Sequence, residues 1–150
     1  MISLKEPAGF NPKFEIVSCF VEWEGQFLLL LRQDHKSEGN TWGVPAGKTE
    51  KGEKIADAIV REIKEETGIG VGKDKIQYFQ KVFVKYPTYE FIYHIFHTKL
   101  DKKSEVKISL QEHKAFKWVT PKDALELPLI AELDNCIKLF YRLGDCRNVD

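Results

Sequence analysis

The sequence lacks an excess of either charge: 23 basic and 23 acidic side chains cancel over 150 residues. Proteins that hold nucleic acid through bulk electrostatics are usually basic, so nucleic acid is not an expected partner. Cysteine is scarce as well. Cys19, Cys136 and Cys146 are odd in number, far apart and include no CxxC pair. Neither a disulfide framework nor a cysteine zinc site follows, and a reducing compartment suits the chain. Long apolar runs are missing. The longest, Phe27 to Leu31, is far too short to span a bilayer. "MISLKEPAGFNPKF" holds no apolar stretch of the kind a signal peptide needs. A cytoplasmic protein with no membrane partner is expected. Repeats and low-complexity linkers are also absent, so residues 1–150 are expected to form a single domain with a real core.

What is present reads as strands with helices placed between them. "FEIVSCFVEWEGQFLLLLRQ" reads as two buried strands that turn at Glu24 and Gly25. Asp34 to Asn40 is a polar loop, and Pro45 limits "TWGVPAG" to a short extended piece. Ala56, Ile59, Val60 and Ile63 recur at helical spacing between Glu53 and Thr67. Gly68 suits the left-handed position just past a helix end. Ile76 to Lys85 and Glu90 to Leu100 are two further strands, and "HKAFKWV" is a closing one. "TPKDALEL" offers a Thr cap and a Pro at the first helical position. Residues from Leu129 to Leu143 complete the pattern as an amphipathic final helix. The class is α/β or α+β with a mixed sheet.

The first helix raises the question of function. On a wheel turning about 100° per residue with Arg61 at zero, Glu65, Glu62 and Glu66 fall near about 40°, 100° and 140°. Ile59, Ile63, Ala56 and Val60 occupy about 160° to 260°, so the acidic arc borders an apolar one. Two such charges about 5 Å apart repel by roughly 3 kcal/mol at an effective dielectric near 20. The cluster therefore calls for positive charge. Arg61 and Lys64 offer it as local pairs, and a divalent cation offers it through hard oxygen ligation. The helix alone leaves both open.

Its surroundings narrow the choice. Gly47, Glu53, Arg61-Glu62-Ile63, Glu65-Glu66 and Gly68-Ile69 occupy every fixed position of the Nudix box, directly after "WGVPAG". The chain thus resembles a Nudix hydrolase of the MutT-like type. The resemblance implies an α/β/α sandwich, a mixed β-sheet between helices. It also implies hydrolysis of a nucleoside diphosphate linked to another group, with Mg2+ or Mn2+. By position in the box, Glu62, Glu65 and Glu66 are implied metal ligands. Glu53 is an outer ligand or loop anchor, and the main-chain carbonyl of Ala46, where many members have glycine, is a further ligand. The catalytic assignment is carried by Glu62 and Glu65 with Glu112, which stands in "QEHKAFKWV" where MutT-like enzymes keep a general base or extra ligand. Glu90 and Glu105 compete for that last role. Arg32 and Lys48 are the substrate-binding cations expected to meet phosphates. Arg61 is read as a brace pairing with Glu53 or Glu65, and Gly47 and Gly68 as serving backbone geometry alone.

Recognition of the base is less well defined. Trp42, Phe83, Tyr86 and Tyr89 are candidates to stack on it. Tyr86 and Pro87 point to different subfamilies. The asparagine used by enzymes that read an oxidised guanine is not matched, because Leu129 and Ile130 stand there and Asn135 comes later. His35, His94, His97 and His113 show no metal-ligand spacing. The leading expectation is a magnesium-dependent pyrophosphohydrolase releasing a nucleoside monophosphate and pyrophosphate from a (deoxy)nucleoside triphosphate. ADP-ribose, nucleotide sugars and dinucleoside polyphosphates are the alternative substrates. A nucleotide-sensing domain without catalysis is disfavoured because no box carboxylate is missing, and RNA 5′-end processing is disfavoured by the balanced charge. The expected partner is a small-molecule nucleotide, and a homodimer stays open.

Overall fold

The computed structural model of the chain describes residues 1–144, so Cys146 lies outside the described residues. Strands β2 (Phe14–Trp23) and β3 (Gln26–Arg32) form the expected hairpin. Glu24 and Gly25 both take positive φ in its turn, the twist that a two-residue hairpin loop requires. Alternation then sorts their side chains. Val17, Cys19, Val21, Leu28 and Leu30 bury on one face, while Phe20, Phe27 and Leu29 bury on the other.

The remaining strands are β1 (Ile2–Ser3), β4 (Trp42–Gly43), β5 (Ala46–Lys48), β6 (Gln77–Lys85), β7 (Glu90–Lys99) and β8 (His113–Val119). They join one sheet of order β1-β6-β7-β2-β3-β4, with β5 on β2 and β8 on β3. β2 and β7 run parallel from the Phe14–Phe91 pair to the Glu22–Lys99 pair, and the other strand pairings are antiparallel, so the sheet is mixed as expected. Helix α1 (Ile55–Thr67) covers the face of Val17 and Leu28. Helix α3 (Leu133–Tyr141), with the short α2 (Pro121–Ala124), covers the opposite face. This is the α/β/α sandwich. Fully buried Ile59 and Ile63 anchor α1 to the sheet, each contributing about 2 kcal/mol.

Three features depart from the sequence reading. The final helix starts at Leu133 rather than Leu129. The residues before it are drawn onto β4: Trp42 N–H donates to the Pro128 carbonyl at 2.8 Å, and Ile130 N–H to the Trp42 carbonyl at 2.9 Å. Glu132, at φ 72°, then redirects the chain into the helix. Second, Ile2 and Ser3 pair with β6, an edge strand too short to show a sequence period. Third, the packed face of α1 is rotated toward its glutamates. Ala58, Ile59, Ile63 and Glu66 are buried, whereas Ala56 and Val60 are only half-buried. The acidic arc does not merely border the core; part of it enters the core.

Candidate active site

The site forms where β2 and β3 diverge. β2 pairs with β3 only at Glu22 and Trp23, and with β5 over Ile16 to Ser18. Just before β5, the Pro45 carbonyl accepts the Cys19 N–H. Antiparallel alternation therefore turns the N–H and carbonyl of Ala46 away from β2. That N–H donates to Glu66 Oε1 at 2.9 Å. The next residue, Gly47, leaves room for the Glu62 carboxylate, which a Cβ at this position would overlap. Its role is close approach, which corrects the expectation of backbone geometry alone. Gly68 does serve geometry: it caps α1 at φ 75°, donating its N–H to the Lys64 carbonyl.

Arg61 gathers the other box carboxylates. Its Nε and Nη2 donate to the two oxygens of Glu53 at 2.8 and 2.9 Å. Nη1 donates to Glu62 Oε1 at 2.8 Å and to Glu65 Oε2 at 3.2 Å. Nη2 also donates to the Lys48 carbonyl at 3.2 Å, tying loop to helix as a brace should. The paired bonds from Arg61, with the Glu50 N–H, hold the Glu53 carboxyl down to about 2. Burial raises Glu62, although Arg61 opposes the shift. Burial also pushes Glu66 well above the usual carboxylate range; the Ala46 N–H opposes this, while the charges of Glu62 and Glu112 add to it. Glu65 is the outlying member, its side chain 57% exposed.

Among the described residues, no three His, Cys, Asp or Glu side chains converge so as to hold a metal ion. Arg61 keeps Glu62 and Glu65 turned toward itself instead. The donor set nevertheless suits a divalent cation. It consists of hard oxygens, which magnesium and manganese favour, and Glu66 is a buried carboxylate that, among the described residues, has one N–H partner and no cation paired to it.

A cavity of about 430 Å³ opens beside these residues. Its wall brings Glu66, Ala46, Gly47, Arg32, Lys48 and His113 together with the rings of Phe14, Tyr86, Tyr89, Phe91 and Tyr93. Both expected phosphate-binding cations are thus in the cavity wall. Arg32 Nε donates to the Ser37 carbonyl at 2.8 Å, and Lys48 Nζ sits 4.2 Å from the Phe14 ring centroid. Glu112 is not among the residues that line the cavity; it is exposed, next in sequence to His113 of the wall, and 3.3 Å from Lys36 Nζ. Glu90 is occupied elsewhere by the Asn11 N–H and by Lys85, and Glu105 is exposed on a connection. Of the stacking candidates, Tyr86 and Tyr89 line the cavity. Phe83 does not, being buried edge-on against Phe10, and neither does Trp42, which lies under Lys117. Phe14, Phe91 and Tyr93 were not singled out from the sequence. Counting alternate residues along "EFIYHIF" puts Phe91, Tyr93 and Ile95 on one face, which was the available signal.

His113 is the other residue that sequence reasoning missed. Burial, reinforced by the charge of Arg32, pushes its imidazole down from 6.5 to about 4. A folded-state value below the unfolded one gives stability that is present above about pH 6.5 and is lost as pH falls toward about 4. The loss amounts to about 3 kcal/mol at most. Glu66 acts in the opposite sense, and Glu53 loses its contribution only below about pH 4.5. Urea unfolding at pH 7 and pH 4.5 should therefore show a smaller acid loss in His113→Gln than in the wild type. Equal losses would refute this cause.

A family model for the NUDIX domain matches residues 12–140. The CTP pyrophosphohydrolase of Escherichia coli K12 is 29% identical over 140 residues, covering 91% of this chain and 97% of that protein. The crystal structure of a MutT protein from Methanosarcina mazei Go1 superposes with a TM-score of 0.76 at 27% identity, over 88% of this chain and 95% of the other. The solution structure of the E. coli ORF135 protein gives a TM-score of 0.74 at 27% identity, over 97% of this chain and all of the other. With the mixed sheet, the box and the cavity in place, the chain belongs to the Nudix family. Within it, the chain is a Nudix pyrophosphohydrolase. The family is typically dependent on divalent metal and acts on nucleotides. Among the described residues no helix is long and apolar enough to cross a membrane.

Proposed function

We propose that the chain is a single-domain, magnesium- or manganese-dependent enzyme that cleaves a (deoxy)nucleoside triphosphate into its monophosphate and pyrophosphate. The observation that carries this reading is the cavity, in whose wall Glu66, Arg32 and Lys48 stand together with the rings of Tyr86, Tyr89 and Phe91. A nucleoside triphosphate offers both kinds of partner, an anionic chain for the cations and a ring for the aromatics. The E. coli relative named for CTP, similar over nearly its whole length, supports the same substrate class.

Glu62, Glu65, Glu66 and the Ala46 carbonyl would hold the metal, with Glu53 anchoring the loop through Arg61. When bound, the metal supplies neutralisation of phosphate oxygens and acidification of a water. Arg32 and Lys48 orient the phosphate chain. Glu112, near Glu66 and exposed, takes the proton of the attacking water. A new phosphorus–oxygen bond forms to the water oxygen as the anhydride bond breaks, its bridging oxygen departing with the other product. A hydrolysis screen with magnesium tests this, using nucleoside triphosphates, ADP-ribose, nucleotide sugars and dinucleoside polyphosphates. Expected products are monophosphate and pyrophosphate, with label from heavy-oxygen water in only one of them. Turnover confined to ADP-ribose or the sugars would reject the triphosphate reading.

A further inference from the structure

The loop between β3 and β4 lies beside the cavity, and its side-chain contacts are ones a phosphate chain would compete for. Lys36 Nζ lies 3.3 Å from Glu112 Oε2. Arg32 spends its Nε on the Ser37 carbonyl. The loop is pinned independently of these contacts: Glu38 accepts the Ala131 N–H at 2.8 Å, and Asn40 N–H donates to the Arg32 carbonyl at 3.1 Å.

His113 pairs across the strands with Arg32 and lines the cavity. It is 4% exposed, and its Nδ1 is enclosed without a hydrogen-bond partner among the described residues. A buried ring nitrogen left unpaired is costly, and such groups commonly await a water, ion or ligand. The charges of Arg32 and Lys36 both bear on His113, and that of Glu112 bears on Glu66. Arg32 and His113 line the cavity, and Lys36 and Glu112 stand just outside its wall, each next in sequence to a lining residue, Ser37 and His113.

The two cations of the cavity wall are not placed alike. Of the two expected from the sequence, Lys48 is drawn over the Phe14 ring, toward the aromatic wall. Arg32 is left to meet the far phosphates, and a pyrophosphate group carries too much charge for one guanidinium to balance. Among the described residues, Lys36 is a further cation beside the site, next in sequence to Ser37 of the cavity wall. Its pair with Glu112 is partly exposed, 31% and 47% for the two side chains, and exposed pairs of this kind are easily exchanged.

We propose that Lys36, with Arg32 and His113, forms the subsite for the pyrophosphate product, Lys36 exchanging the Glu112 carboxylate for phosphate oxygens when that anion is present. No covalent bond changes at Lys36; one ion pair replaces another, and Glu112 loses the counter-charge that masks it. The inference rests on the triphosphate reading above for its biological sense, but pyrophosphate binding can be measured without it.

The test is calorimetric titration of inorganic pyrophosphate, and separately of a nucleoside monophosphate, into the full chain with magnesium. Lys36→Gln should weaken pyrophosphate by about tenfold, the worth of one charge-assisted contact, and leave the monophosphate unchanged. Lys36→Arg should retain most of the pyrophosphate affinity. The proposal is overturned if pyrophosphate does not bind the wild type, or binds Lys36→Gln equally well. It is also overturned if both ligands weaken together, the mark of a disturbed loop. A wild type that binds pyrophosphate through Lys36 but forms none from triphosphates would overturn the reaction and keep the subsite.

Discussion

Glutamine in place of Glu66 should leave the protein folded and nearly inactive, with turnover about three orders of magnitude below wild type at saturating magnesium. A loss of that size corresponds to several kcal/mol of metal-mediated stabilisation of the transition state, at about 1.4 kcal/mol per factor of ten. The stability half of the expectation comes from the geometry. Glu66 is 9% exposed and accepts one backbone bond, from Ala46. An amide keeps an oxygen for that N–H and removes the penalty of burying a charge. Without metal, Glu66→Gln should therefore melt at or above the wild-type temperature. With magnesium, the wild type should gain stability by binding and the variant should gain little. Glu62→Gln should lose comparable activity but melt lower than Glu66→Gln, because Arg61 Nη1 loses a charged partner at 2.8 Å. Steady-state assays paired with melting curves, with magnesium and with chelator, read both halves. Near-normal turnover in the two variants would remove these carboxylates from the site.

That split between activity and stability also marks what the sequence made legible. The β2–β3 hairpin, the span of α1 and the left-handed cap at Gly68 are local, and local patterns announce them. The box carboxylates were legible by spacing. Their division of labour was not, because it depends on which strand α1 packs against. The wheel places Glu62 and Glu66 only about 40° apart, yet one is held by Arg61 and the other by the Ala46 N–H. Only the pairing of β5 with β2 decides this. The start of α3 was missed for a related reason. Leu129 and Ile130 stand at helical spacing from Leu133 and Ile137, but Trp42, far away in sequence, captures their backbone. The aromatic wall likewise needs the register that sets Phe14 beside Phe91. Lys36 and His113 gave no signal at all, since their meaning lies in proximity to Arg32 and Glu112.

The two box glycines give the second large prediction, because sequence reading treated them alike and the structure separates them. Gly47→Ala should cost about a hundredfold in turnover, the scale of a misplacement of roughly 1 Å at a reacting centre, while altering stability little. Gly47 is not among the glycines at positive φ, so its backbone accepts alanine without strain. The obstacle to a Cβ is the carboxylate of Glu62, the far end of a flexible side chain. That end can swing away at small cost to the fold, but doing so takes it from the position beside β5 and from Arg61. Gly68→Ala should behave in reverse. At φ 75° a Cβ is strained, so stability should fall by about 1 kcal/mol, yet no site carboxylate is touched and turnover per folded molecule should persist. Kinetics and urea unfolding on the two variants give a crossed pattern. If Gly47→Ala lost stability and kept its turnover, Glu62 would not need its place beside Gly47, and the close packing of α1 against β5 would have to be explained by folding instead of catalysis.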